Sequence, residues 1–109
     1  MMAAWKSAAW VEVADETTAV VLRMCGELDL QSSETIEAVV VAAIDSCPAV
    51  TLDLAALEFC DSSGVAMFLR AQQHAAVRGT ALELCGARPI VARVFEVTGV
   101  EHLLPIASD

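Results

Sequence analysis

The chain has 109 residues, of which 57% are hydrophobic, six are basic and fifteen are acidic, giving a net charge of −9. This length suits one domain, and the apolar fraction lies above the roughly 45–50% of an average soluble domain, which excludes intrinsic disorder. The longest uninterrupted apolar run, residues 38–44, is far shorter than the ~20 residues of a membrane-spanning helix. The acidic excess argues against nucleic acid and anionic lipid as partners.

The start of the chain and its cysteines indicate the compartment. The first ten residues contain Lys6 and no long apolar stretch, so they do not predict a secretory signal, and we expect the chain to stay in the cytoplasm. Cys25, Cys47, Cys60 and Cys85 are widely spaced without a Cys-x-x-Cys pair, which argues against a zinc site and favours reduced thiols that pack in the core. The two histidines have no nucleophile near them in sequence, so the residues indicate neither an enzyme nor a bound cofactor.

The first elements in chain order form a predicted β-hairpin. Trp10–Ala14 suits a short edge strand, and residues 15–17 suit a turn. Thr18–Cys25 is rich in β-branched and apolar residues and suits a central strand. We expect Gly26 to end this strand.

Three helices alternate with two further strands. The first helix is predicted to begin with Ser32 or Ser33 as its N-cap and to stop before Pro48. Its expected core face consists of Ile36, Val39, Val40, Ala43 and Ile44. Strand Val50–Leu54 follows, and a loop leads to a second helix that opens at Asp61-Ser62-Ser63-Gly64 and runs to about Arg78, with Gly79 just past its end.

The last predicted elements complete an α/β domain. Ala81–Cys85 suits a strand, and Pro89 and Gly99 bracket a third helix. The apolar stripe of this helix consists of Ile90, Val91, Val94 and Phe95. A short turn and a final extended piece follow. The order β-β-α-β-α-β-α predicts a mixed, largely parallel sheet of four to five strands with helices packed against it.

Two polar turns follow strands and are expected to meet at the carboxyl end of the sheet. One is Gly26-Glu27-Leu28-Asp29 and the other is Asp61-Ser62-Ser63-Gly64. The second turn has two interpretations that are compatible. Its Asp and Ser residues suit N-capping of a helix, and Ser62 suits phosphorylation, because a hydroxyl at a helix start is accessible and the helix dipole tolerates the added charge. No lysine or glycine-rich cradle for a nucleotide phosphate accompanies this turn.

The start of the second helix carries more apolar residues than one core-facing stripe needs. They are Val65, Met67, Phe68 and Leu69. Either all of them pack inside, or some form an exposed interaction patch beside Ser62.

These segments together resemble the STAS domain, and more narrowly the stand-alone bacterial anti-sigma factor antagonists. The resemblance spans residues 10–106 and rests on Gly26–Asp29, Leu52–Leu54, Phe59–Val65, Pro89–Gly99 and Leu103–Ile106. Two departures are Cys60, where the family often has a larger apolar residue, and Gln31, where small residues or threonine are common. Neither removes the serine that the family phosphorylates.

The resemblance implies a binding protein with a switch. Its implied partner is an anti-sigma factor that is a serine kinase of the histidine-kinase-like ATPase fold, and binding makes it release its sigma factor. The implied phosphorylation site is Ser62, and a PP2C-type phosphatase resets the protein. ATP and magnesium belong to the kinase, so this chain needs no cofactor of its own.

The resemblance also implies roles for individual residues of the two turns. Asp61 orients the acceptor, and Asp29 lines the same face. Ser63, Gly64 and Val65 complete the partner-binding helix start. The alternative function is a STAS subunit of a membrane transporter complex of the lipid or anion ABC type, and the intact acceptor motif argues against it. A third possibility is a component of a stress-sensing assembly, whose members commonly carry an additional sensory domain.

Overall fold

The computed structural model describes residues 9–15 and 19–107, and the elements in this part follow the predicted order β-β-α-β-α-β-α. The elements are β1 (Ala9–Asp15), β2 (Ala19–Leu28), α1 (Ser33–Ser46), β3 (Ala49–Cys60), α2 (Ser62–Arg78), β4 (Ala81–Cys85) and α3 (Pro89–Thr98). None of the described helices is both long enough and apolar enough to cross a membrane.

The sheet has the strand order β1-β2-β3-β4. Strand β1 pairs antiparallel with β2, which confirms the hairpin, although residues 16 and 17 of its predicted turn lie outside the described residues. The β2–β3 and β3–β4 pairs are parallel. Beyond α3, Ile106 forms a parallel bridge to Leu84 on the outer edge of β4, as expected for a final extended piece. The predicted mixed, largely parallel sheet is therefore confirmed.

The two central strands run further than the sequence predicts. Gly26 has a φ of 83° and lies at a register irregularity, and β2 continues past it to Leu28. The sequence predicts that the next strand ends at Leu54, but β3 continues to Cys60. The two extensions depend on each other, because Leu28 pairs with Cys60 in the parallel ladder. Each strand end thus supplies hydrogen-bond partners for the backbone groups of the other, which would otherwise be unpaired.

The three described helices pack on one face of the sheet. Alternation along the strands directs Leu22, Leu52 and Leu84 into a core shared with all three helices. Helix α2 lies between the other two helices. On one side the Arg70 guanidinium makes a forked pair with Glu37 of α1, with Arg70 Nη2 2.7 Å from Glu37 Oε1. On the other side α2 meets α3 through an edge-to-face ring pair.

This central position decides between the two interpretations of the apolar row at the start of α2. Val65, Met67 and Phe68 are buried, and Leu69 packs against the core. A helix that contacts two other helices and a sheet buries more than one stripe, so the row carries no exposed patch. Two residues assigned to core faces are exposed instead: Val39 on α1 and Ile90 on α3.

Candidate functional site

The two polar turns meet at the carboxyl end of the sheet, as predicted. The Asp61 N–H donates to the Leu28 carbonyl oxygen at 3.1 Å, directly after the paired residues Leu28 and Cys60. The end of β2 therefore fixes the point at which α2 begins. The Gly26–Asp29 and Asp61–Gly64 turns are adjacent because of this ladder, although Cys60 lies 31 positions after Asp29 in the sequence.

Asp61 caps α2 and leaves the first hydroxyl of the helix free. Its Oδ1 accepts hydrogen bonds from Ser63 N at 2.9 Å and from Gly64 N at 3.3 Å, and its carbonyl oxygen accepts from Val65 N at 3.1 Å. Ser62 is the first residue of the helix and is exposed, and its hydroxyl makes no hydrogen bond within the described part of the chain. Ser63 is half-buried. Ser62 is thus the more accessible of the two hydroxyls.

Gly64 and Val65 face inward from the same helix start. A Cβ built at Gly64 would lie 2.6 Å from Cys60 Sγ and 2.9 Å from Leu28 Cδ2, so only glycine lets the helix approach the two strand ends this closely. Val65 is buried in the core. Both residues belong to the partner-binding set that the resemblance implies. Their buried positions let them hold the start of the helix against the strand ends, but neither presents a side chain at the surface.

Asp29 closes the turn that leads into the neighbouring helix α1. Its Oδ1 accepts hydrogen bonds from Gln31 N at 3.0 Å and Ser32 N at 3.1 Å, ahead of α1. The Ser32 hydroxyl accepts from Asp29 N at 3.0 Å and lies 2.9 Å from the Glu27 carbonyl oxygen, to which it can donate. Ser32 occupies the N-cap position of α1 but makes no capping bond with its side chain, and Ser33 is already inside the helix. The predicted position of the N-cap is therefore confirmed at Ser32, but the Ser32 hydroxyl bonds to the preceding turn and not to the helix.

The Cys60 thiol near the start of α2 is not a reactive group. Cys60 is buried, and burial, followed by the negative charge of Asp61, raises its pKa to about 12. It therefore stays protonated at neutral pH. The described residues contain no group of three or more His, Cys, Asp and Glu side chains that could hold a metal ion. The exposed chemistry of the site rests on the Ser62 hydroxyl.

Two exposed apolar residues at this end of the sheet were not singled out in the sequence. Leu30 follows Asp29 in the turn before α1, and Phe59 precedes Cys60 at the end of β3. The available signal was a large apolar residue inside a polar turn, Asp29-Leu30-Gln31. For Phe59 no signal was available, because its strand end was predicted as a loop.

The comparisons with known proteins agree on one family. The family model described as "Mlab, STAS domain" matches residues 11–105. The anti-sigma F factor antagonist of Paenibacillus polymyxa is 28% identical over 101 residues, which are 91% of this chain and 86% of that protein. The anti-sigma F factor antagonist of Lysinibacillus sphaericus is 38% identical over 93 residues, which are 83% of this chain and 79% of that protein.

A solved antagonist matches in two chemical states. The unphosphorylated form of the anti-sigma factor antagonist SpoIIAA has a TM-score of 0.74 at 27% identity and covers 92% of this chain and 90% of its own. The phosphorylated form of SpoIIAA, a Bacillus cell fate determinant, has a TM-score of 0.68 at 26% identity and covers 92% of this chain and 93% of its own. On the fold, the two converging turns and these matches, the chain belongs to the STAS domain family.

Proposed function

We propose that this chain is an anti-sigma factor antagonist that phosphorylation of Ser62 switches off. The observation that carries the proposal is the exposed Ser62 hydroxyl, free of internal hydrogen bonds, at the start of a helix that Asp61 already caps. The names of the two sequence relatives and of SpoIIAA support the antagonist function. The solved phosphorylated form of SpoIIAA supports a phosphate-dependent switch.

The cap explains why a phosphate at Ser62 would act at the surface. The kinase transfers the γ-phosphoryl group of its ATP to Ser62 Oγ, the hydroxyl proton leaves, and ADP is released. The phosphate adds roughly −1.5 to −2 charges at pH 7. Asp61 Oδ1 already accepts hydrogen bonds from Ser63 N and Gly64 N, and its negative charge repels the phosphate. The phosphate therefore would not bond to these backbone donors of the helix. It would point toward the partner and oppose contact.

The proposed cycle has two partners. In its unmodified form the chain binds an anti-sigma factor, a serine kinase of the histidine-kinase-like ATPase fold, which then releases its sigma factor. A PP2C-type phosphatase hydrolyses the phosphoserine ester and restores the free hydroxyl. The chain acts in the cytoplasm as a binding regulator, and the kinase and the phosphatase supply the catalysis.

The first test is mass spectrometry of the protein purified from its own cells, with fragmentation of the peptide that contains Ser62. We expect a fraction with one phosphate, located on Ser62. The same protein incubated with the purified anti-sigma factor kinase and Mg-ATP should reach one phosphate per chain. Ser62→Ala should remain unmodified, and Ser63→Ala, the matched control, should be phosphorylated. A pool that stays unmodified in cells and with the kinase would contradict the proposal and favour a transporter-subunit role.

Binding provides a second test. By calorimetry, Ser62→Ala should retain the affinity of the unmodified chain for the kinase, while Ser62→Asp should bind at least about tenfold more weakly, because a charge is placed in the contact. Equal affinities for the two variants would contradict a charge-based switch.

A further inference from the structure

The two edges of the sheet differ in how the chain covers them. On the outer side of β4, the Leu84 N–H donates to the Pro105 carbonyl oxygen at 3.0 Å, and the Ala107 N–H donates to the Leu84 carbonyl oxygen at 2.8 Å. On the outer side of β1, no strand of the described residues is paired. The backbone groups on that side of Ala9–Asp15 can therefore accept a further strand.

Strand β1 lacks the features with which proteins prevent pairing at a sheet edge. Those features include a lysine, a proline or a bulge in the edge strand. Strand β1 contains no lysine or proline, and its ladder with β2 has no register shift. Its central charged residue, Glu12, lies 3.8 Å from Arg23 Nη1 and accepts a hydrogen bond from the Trp10 indole N–H at 3.3 Å. The one charge at the middle of this edge is thus partly compensated within the chain.

An apolar corner lies along the same edge and consists of Val11, Val13 and Val39. Val11 packs against the core, and alternation along the strand puts Val13, which is 60% exposed, on the same side of the sheet. Val39 lies on α1, which contacts β1, whereas α2 contacts β3 and β4. Glu37 of α1 faces α2 through its pair with Arg70. Two residues along a helix correspond to a rotation of about 200°, so the exposed Val39 faces away from α2, toward the β1 edge.

Two copies of β1 match each other when they run antiparallel and a two-fold axis perpendicular to the sheet passes through Val11. Val11 then lies opposite Val11 of the second copy, and Trp10 lies opposite Glu12 at two symmetric positions. The helices of both copies stay on one side of a continuous sheet. An axis through Glu12 would instead place two carboxylates directly opposite each other, which is destabilising. The residue pattern therefore selects one register.

We propose that the outer edge of β1 is an interface between two copies of this chain, paired antiparallel about Val11. A second copy fits because the strand matches itself in this register and because an indole N–H meets a carboxylate at both Trp10–Glu12 positions. The net charge of −9 on each copy opposes association, so added salt should strengthen the dimer. The contact of one strand edge and one apolar corner is small, and we expect a micromolar dissociation constant.

The first test is sedimentation velocity of the full chain over a range of protein concentrations. The wild type should form a dimer, and salt should lower its dissociation constant. Trp10→Lys and Trp10→Glu both remove the ring but place opposite charges against Glu12 of the second copy. Because the dimer contains two such positions, Trp10→Lys should dimerise at least about tenfold more tightly than Trp10→Glu.

A matched pair of variants controls for the change in net charge. Val77 is 85% exposed and lies on α2, away from the β1 edge. Val77→Lys and Val77→Glu alter the net charge by the same amounts as the Trp10 variants. Their dissociation constants should differ by less than about threefold, because only long-range repulsion distinguishes them.

Hydrogen exchange of the wild type locates the contact without any substitution. The amides of Ala9–Asp15 should exchange more slowly at high than at low protein concentration, while the peptide that contains Val77 should exchange at one rate. A chain that stays monomeric at millimolar concentration would overturn the proposal, as would a dimer whose β1 amides are not slowed. Equal dissociation constants for folded Trp10→Lys and Trp10→Glu would overturn the pairing about Val11. The proposal goes beyond the proposed function, and none of these results depends on a kinase or on Ser62.

Discussion

Replacing Gly64 by alanine tests how tightly the start of α2 is held against the strand ends. The new Cβ would lie 2.6 Å from Cys60 Sγ and 2.9 Å from two atoms of Leu28, both of which are fully buried side chains. Overpacking of this kind typically costs about 1–3 kcal/mol. The higher helix propensity of alanine offsets up to about 1 kcal/mol of this cost. Gly64 has no positive φ, so the alanine backbone would not be strained. We therefore expect a net loss of about 1–2 kcal/mol in the free energy of unfolding.

The assay is urea unfolding followed by circular dichroism, combined with a double-mutant cycle. Cys60→Ala removes the Sγ atom that makes the shortest contact, so the cost of Gly64→Ala should fall by at least about 0.5 kcal/mol in that background. Gly79→Ala is the control: its φ of 73° makes alanine costly, but no atom lies within 4 Å of its Cβ position, so it should not couple to Cys60. A Gly64→Ala protein as stable as the wild type would refute the close approach.

Three further predictions concern stability and reactivity. Asp61→Ala should lower the free energy of unfolding by about 1 kcal/mol through loss of the helix cap, whereas Asp61→Asn, which caps equally well, should cost less than about 0.5 kcal/mol in urea unfolding. The hydrogen bond from Arg70 lowers the pKa of Glu37 from its ordinary value of 4.5. The pair should therefore stabilise the fold at pH values above 4.5, and this contribution should disappear as the pH falls through the lowered pKa. We expect the melting temperatures of the wild type and Arg70→Ala to converge in acid. Cys60 should resist iodoacetamide at pH 8 in the native protein and react in urea, as read by peptide mass spectrometry, because its pKa is about 12.

Helix boundaries followed from the sequence because local signals set them. Asp61 and Gly79 bracket α2, and Pro89 and Gly99 bracket α3, as the residue types predict. At the start of α1 the N-cap residue is Ser32, as predicted, but its hydroxyl does not cap the helix, and Asp29 closes the turn ahead of it. The hydrogen bonds of this turn depend on how the preceding strand ends, and that end was not predicted.

Strand ends and burial depended on distant parts of the chain. The extension of β3 to Cys60 exists because Leu28 pairs with it, and no local pattern reports such a pairing. A glycine with positive φ, such as Gly26, can either end a strand or produce a register irregularity within it. The pairing with the neighbouring strand determines which of the two occurs. The burial of the row from Val65 to Leu69 likewise depends on the two helices beside α2. The motif around Ser62 was recognisable because it is local, whereas the exposure of Leu30 and Phe59 at the same end of the sheet required the fold.

The capping of α2 also determines whether the proposed phosphorylation changes the free energy of folding or the free energy of partner binding. A phosphate that replaced the cap would act by changing the fold, because it would compete with Asp61 for Ser63 N and Gly64 N. The carboxylate already holds both donors, and its charge opposes a phosphate beside it, so the modified and unmodified domains should share one fold. The difference between the two states then arises only when a partner covers Ser62 and removes water from the phosphate. Such a switch can change affinity by orders of magnitude in a domain whose own stability does not change.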